Sequence, residues 1–291
     1  MGIRTRKPEL LVEPAWLEAR LDDPALRVID CTVWMTPQPV GASLVTSGRA
    51  QWQAGHIPGA AYLHMTEDLS APREGLPYNL PSAGHMTALL SRIGVNRDTT
   101  VVLYGGGYPS AVTRAWWVLR ASGVRDVRIL DGGWQRWVAE GFPITTEVPE
   151  FPAGDFVASP IPGLVADRDA VKAALDDPGV LLVNALSPQQ FRGTGGAHYG
   201  RPGRIPGSAN VPSQDLIDPE TRRYRPIDEL ARMFAMAGAF EHRRVIAYCG
   251  GGIAASATVF VLEMLGHPAV ELYDLSLLEW SKDADLPMVS G

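Results

Sequence analysis

The chain has 291 residues, about twice a typical ~150-residue domain, so two domains are the expectation. Hydrophobic residues make up 46% and charged residues 20%, which excludes a disordered chain. A net charge of −6 argues against a general binder of nucleic acid or of anionic membranes. The two cysteines, Cys31 and Cys249, are far apart and neither has a CxxC or Cys/His partner, so neither a disulfide framework nor a zinc site is expected. The histidines are scattered without an HExxH pair, and no metal or organic cofactor is expected. Free thiols fit a reducing compartment. The N-terminus lacks an apolar core behind its positive charges, and no apolar run approaches the ~20 residues of a membrane span. A cytoplasmic, soluble, monomeric protein with no membrane partner is the expectation.

In chain order, the first strand signal is Arg27-Val28-Ile29-Asp30, with Cys31 directly after it. Gly55-His56-Ile57-Pro58-Gly59-Ala60 follows, then the apolar strand Val101-Val102-Leu103-Tyr104 and a loop Gly105-Gly106-Gly107. Asp131-Gly132-Gly133-Trp134 comes next. The same series then recurs at nearly constant spacing. Leu181-Leu182-Val183-Asn184 answers the first strand, Gly203-Arg204-Ile205-Pro206-Gly207-Ser208 the Gly/Pro segment, and Val245-Ile246-Ala247-Tyr248 the apolar strand. Asp274 and Trp280 answer Asp131 and Trp137. Repeats in one order are the mark of a duplicated unit. The spacing drops by one residue after the apolar strand, so the N-terminal glycine loop reads as one residue longer than its counterpart. The expected boundaries are residues 1–147, a proline-rich linker at 148–162, and residues 163–291.

Within each half, buried strand runs alternate with helical patterns. Ile227 to Ala237 reads as a helix stopped by Gly238, and Ala254 to Leu265 as another stopped by Gly266. Continuous apolar strands imply a sheet covered on both faces. The predicted class is therefore α/β, two tandem domains that are each a mainly parallel sheet flanked by helices.

Cys249 follows the strand ending at Tyr248 and precedes Gly250-Gly251-Gly252, then Ile253 and Ala254 at the start of a helix. Ligands of open α/β sheets bind beyond the carboxyl ends of the strands. Glycines let successive N–H groups turn inward as an anion nest, and the helix start adds unpaired donors. Both favour a thiolate, so a nucleophilic Cys249 with a lowered pKa is expected. A lone cysteine at a strand end is usually a small buried hydrophobe, which is the reading for Cys31; the three glycines set Cys249 apart. The equivalent residue in the first half is Gly105, so only the second half has the nucleophile. A cysteine phosphatase loop would need an arginine at position 255, which is Ala255.

These residues together resemble the two-domain rhodanese family, the thiosulfate and 3-mercaptopyruvate sulfurtransferases, across almost the whole chain. The most specific match is Cys249-Gly250-Gly251-Gly252-Ile253-Ala254, similar to that family's C-x-x-G-[VI]-[TA] loop. The resemblance implies sulfur transfer from a small anionic donor, through a persulfide on Cys249, to cyanide or a thiol. It implies that Gly250, Gly251, Gly252, Ile253 and Ala254 hold the persulfide and that Arg192, in Phe191-Arg192-Gly193, binds the donor. The departures are equally specific. Asn184-Ala185-Leu186 lacks an arginine that the family often has at the third position, and Gly251 stands where mercaptopyruvate enzymes have serine. Arg204, with Arg201 nearby, is the candidate that restores the missing charge. Asp274, followed by Leu275 instead of the family's glycine, reads as structural. A catalytically weak module that carries sulfur or binds a protein is the alternative.

Overall fold

The computed structural model describes residues 6–291. Its N-terminal half contains strands β1 (Leu11–Val12), β2 (Leu26–Asp30), β3 (Val33–Thr36), β4 (Leu44–Ser47), β5 (Ala61–Tyr62), β6 (Thr100–Tyr104) and β7 (Asp126–Leu130). The C-terminal half contains β8 (Val165–Ala166), β9 (Val180–Asn184), β10 (Ala209–Asn210), β11 (Arg244–Tyr248) and β12 (Val270–Tyr273). Two five-stranded sheets result, ordered β1-β7-β6-β2-β5 and β8-β12-β11-β9-β10. Every pairing within them is parallel. Since β8, β12, β11, β9 and β10 take the places of β1, β7, β6, β2 and β5, the sequence repeat is a topological repeat. Strands β3 and β4 form an antiparallel hairpin outside this plan, in the first half.

The middle strands carry apolar side chains on both faces because helices cover both. Val101, Val102, Leu103 and Tyr104 are buried throughout, as are Val245, Ile246, Ala247 and Tyr248. Behind these strands run the two central helices, Pro109–Ala121 and Ile253–Met264. They pack against each other across the interface of the halves. Thr113 Oγ1 and Ser256 Oγ lie 2.8 Å apart, and the Trp116 ring meets Phe260 edge-on at 5.0 Å between centroids. A helix enclosed on every side must be apolar all round, which explains why Ile253 to Leu262 has no charged residue.

The connections between strand and central helix, Gly105–Tyr108 and Cys249–Gly252, are equally long, which corrects the expectation of a longer N-terminal loop. The extra residue lies in the helix, 13 residues against 12. The two helices start at equivalent positions, Pro109 and Ile253, so the extra residue lies at the far end of the first, before Ala121. Residues 148–162 hold no helix or strand and run over the first half, with Phe156 buried and Ser159 N–H donating to Ser122 O at 2.9 Å.

Candidate functional site

Cys249 directly follows β11, the middle strand of the second sheet. Its own N–H donates to Ser276 Oγ at 3.0 Å, and that hydroxyl donates to Tyr273 O at 2.7 Å. The Cys249 and Gly250 carbonyls accept from Leu277 N–H and Leu278 N–H at 3.2 and 2.8 Å. The short helix Ser276–Trp280 therefore ties down the loop's acceptors. Among the described residues, the N–H groups of Gly250, Gly251 and Gly252 find no protein acceptor. Ile253 and Ala254 open the central helix, where N–H groups have no intrahelical partner. Five consecutive donors thus remain for an anion at Cys249.

The first-half loop has the same length but a different turn, with Tyr108 at φ −72° where Gly252 is at 78°, and fewer free donors. Gly106 N–H donates to Thr32 Oγ1 at 2.9 Å, Tyr108 N–H to Val33 O at 2.9 Å, and Gly105 O accepts from Trp134 N–H at 3.2 Å. A Cβ at Gly107 would overlap the Val33 carbonyl. Where Val33, at the start of the hairpin, packs on the first-half loop, Tyr78 and Leu278 pack on the loop of Cys249. Cys31 is buried in the first-half core, where burial first and then the Asp30 carboxylate push its thiol well above the ordinary range.

Cys249 is 2% exposed, and three tyrosines, Tyr78, Tyr108 and Tyr199, pack around its loop. The Tyr199 ring occupies the place of a Cβ at Gly250, and Tyr78 Cδ2 and Leu278 Cδ1 would lie 2.9 and 2.8 Å from a Cβ at Gly251. These contacts, in addition to backbone freedom, require the glycines. Tyr78 and Tyr108 come from the first half, so the repeat without the nucleophile builds a wall of the site. Burial, then the neighbouring Cys249 charge, pushes the Tyr78 phenol up to about 12 and raises that of Tyr199 as well. Tyr108 is raised chiefly by burial. All three stay protonated hydroxyl donors at neutral pH.

A cavity of about 330 Å³ opens between the halves beside this loop. Leu186, Gln190, Ser213, Arg222, Tyr108 and Ala254 are among its lining residues, Ala254 being its contact with the cysteine loop. The structure brings together Cys249, Gly250, Gly251, Gly252, Ile253 and Ala254, but not the two arginines read from the sequence. Arg192 lies exposed at the end of the short helix Pro188–Arg192. Gln190 faces the cavity, and two residues on, a helix has turned ~200°. Arg204 is turned away too. Its guanidinium stacks over Phe191 at 4.5 Å and donates to Gly291 O at 2.7 Å, pinning the end of the chain. Arg201 is spent on the carbonyls of Ser281, Asp283 and Leu286.

Asp274 is an interface clamp. It accepts from Arg114, which is fully buried, and from Leu80 N–H at 2.9 Å, both in the other half. Its counterpart Asp131 reaches the opposite way, to Arg223 Nε at 2.8 Å and Tyr224 N–H at 2.9 Å. Sequence reading missed the three tyrosines, Ser276 and Arg222. Tyr108, directly after Gly105-Gly106-Gly107, and Tyr199, directly before Gly200, carried a local signal. Among the described residues no three His, Cys, Asp or Glu side chains gather as a metal site, and no helix is long and apolar enough to cross a membrane.

A tandem α/β chain with one cysteine loop at the end of a central strand defines the class of protein. Models of the rhodanese-like domain match it twice, at residues 13–140 and 167–283. The chain belongs to the rhodanese-like family. It is 33% identical over 279 residues to a probable 3-mercaptopyruvate sulfurtransferase of Pseudomonas aeruginosa, covering 94% of this chain and 96% of that protein. It is 32% identical over 297 residues to the sulfur carrier protein TtuD of Thermus thermophilus, covering 98% of each. The crystal structure of SseA from Escherichia coli, a 3-mercaptopyruvate sulfurtransferase, superposes with a TM-score of 0.80 at 29% identity, covering 92% of this chain and 98% of that one.

Proposed function

We propose that the protein is a sulfurtransferase that moves a sulfane sulfur from a small anionic donor, thiosulfate or 3-mercaptopyruvate, through a persulfide on Cys249 to cyanide or a thiol. The observation that carries the reading is the row of unpaired N–H groups from Gly250 to Ala254 around one cysteine. In the first step the Cys249 thiolate attacks the donor's outer sulfur. The bond from that sulfur to the rest of the donor breaks, and sulfite leaves with the electron pair; from mercaptopyruvate, the enolate of pyruvate leaves and takes up a proton. The persulfide's terminal sulfur then carries the negative charge, and the loop donors stabilise it as an oxyanion hole does. In the second step the acceptor attacks that terminal sulfur and Cys249 leaves as thiolate. The protonated Tyr78, Tyr108 and Tyr199 hydroxyls exclude water and add no negative charge. No metal or organic cofactor enters either step.

The test is cyanide-dependent thiocyanate formation with each donor, beside Cys249→Ala. Turnover with one donor, lost in the variant, is the expected result and identifies the donor. The close cover of Tyr78 and Tyr199 over the Cys249 loop and the likeness to a sulfur carrier favour a second reading, a carrier that hands its sulfur to another protein. It predicts a mass-detectable Cys249 persulfide without thiocyanate turnover. A Cys249 that never acquires sulfur overturns both.

A further inference from the structure

The donors expected above are anions, and a cavity that takes one needs a cation or several neutral donors. Arg192, Arg201 and Arg204 all face elsewhere, and Leu186 presents an apolar side chain to the cavity. Among the described lining residues the one cation is Arg222. It lies in a turn between β10 and the helix Ile227–Met236, closed by Arg222 N–H to Asp218 O at 2.9 Å and Asp218 N–H to Arg223 O at 2.8 Å. The turn places Arg222 at φ 60°, a left-handed conformation that non-glycine residues seldom adopt. Such backbone persists where its surroundings hold it, often at binding sites.

The turn sorts its arginines. Arg223 pairs with Asp131 and Glu13, and Arg225 pairs with Glu229. Arg222 has no carboxylate within ion-pair distance among the described residues. Its guanidinium donates instead to Gly107 O in the loop of the first half that has Gly105 in place of the cysteine. That bond fixes the side chain at the cavity wall while leaving its charge uncompensated. The one lining carboxylate, Asp218, is engaged by Thr221 N–H at 2.8 Å and Thr221 Oγ1 at 2.9 Å. Ser213, Gln190 and Tyr108 add neutral polar groups to the same lining.

We propose that Arg222 binds the carboxylate or sulfonate end of the sulfur donor, supplying from another part of the lining the charge that Leu186 does not. The inference rests on the sulfur-transfer reading, and its test separates the two. Binding of thiosulfate and of 3-mercaptopyruvate is measured by calorimetric titration in the Cys249→Ala background, where no turnover occurs, and KM and kcat are measured with Cys249 intact. Arg222→Ala is expected to weaken donor binding and raise KM about ten- to a hundredfold, the worth of a charge-assisted hydrogen bond, with cyanide's KM unchanged. Arg222→Lys should fall between, and Leu186→Arg added to Arg222→Ala should recover most of the loss. Arg192→Ala should change neither quantity. The thermal midpoint of each variant shows whether it has folded, and the Leu186→Arg rescue cannot arise from a folding defect. Unchanged binding and KM in Arg222→Ala, or a loss in Arg192→Ala instead, overturns the proposal while sulfur transfer stands. Arg222-dependent binding without turnover in the native chain upholds the anion site and overturns the sulfur-transfer reading. Absence of donor binding in the Cys249→Ala background overturns the anion site whatever the turnover.

Discussion

Position 251 is glycine because two side chains already occupy the space beside it. Tyr78 Cδ2 and Leu278 Cδ1 stand 2.9 and 2.8 Å from where a Cβ would be, and Tyr78 is itself buried and bonded to Ser43 O at 2.8 Å. Gly251→Ser, which restores the serine of mercaptopyruvate enzymes, should therefore cost ~1–3 kcal/mol, the range for forcing atoms into a packed site. In a Tyr78→Ala background the same serine should be accommodated at less than half that cost. Urea unfolding of the four chains checks this; an unshifted midpoint in Gly251→Ser alone would mean that Tyr78 yields freely. The same residue scale marks how far sequence reading reaches. The strand-loop-helix setting of Cys249 was legible because strand, glycines and helix start are contiguous. The arginines were not, since which of them meets the cavity depends on helix rotation for Arg192, on stacking over Phe191 for Arg204, and on a left-handed turn for Arg222. The Asp218-to-Arg223 segment reads as a polar turn and gives no sign that one of its arginines faces inward.

Between elements, the duplication has become a reciprocal clasp. Asp131 follows β7 and Asp274 follows β12, and each reaches into the opposite half, to Tyr224 N–H and Leu80 N–H, both at 2.9 Å. The aspartates were visible in the sequence as repeat markers. Their partners were not, because they are distant in the chain and only the packing of the two central helices brings them near. The symmetry breaks at Arg114, fully buried in the first central helix and bonded to Asp274 and to Tyr78 O. Breaking a buried pair strands one charge, a cost of ~3–5 kcal/mol, whereas replacing both with apolar residues is often neutral. Arg114→Met is expected to show the full penalty in equilibrium unfolding, and Arg114→Met with Asp274→Leu to recover most of it. Because Arg114 also holds the carbonyl of Tyr78, the single variant should loosen the cover over Cys249 and speed its alkylation by a small thiol reagent. Equal stability of the single and double variants would show that the pair holds nothing.

At the scale of the molecule, the two halves have buried their phenols. All eight tyrosines have pKa values raised above the ordinary 10, burial being the largest cause in each, and Tyr78 reaches about 12. A raised folded-state value means that the unfolded chain loses the phenolic proton first. Stability from this source is whole below about pH 10 and is lost as pH climbs through the folded-state values. Each such phenol contributes at most ~1.4 kcal/mol of loss per pH unit, to be set against a typical folding stability of ~5–15 kcal/mol. Little else titrates there, for the only lysines are Lys7, Lys172 and Lys282 and the arginines stay charged. The expected result is a urea midpoint that is level near neutrality and falls steeply above pH 10, in step with the appearance of tyrosinate absorbance on unfolding. Tyr78→Phe should lessen the slope between pH 10 and 12. Tyrosinate absorbance that develops near pH 10 in the still-folded protein would show that the phenols are open to solvent, and with them the Cys249 loop that three of them pack around.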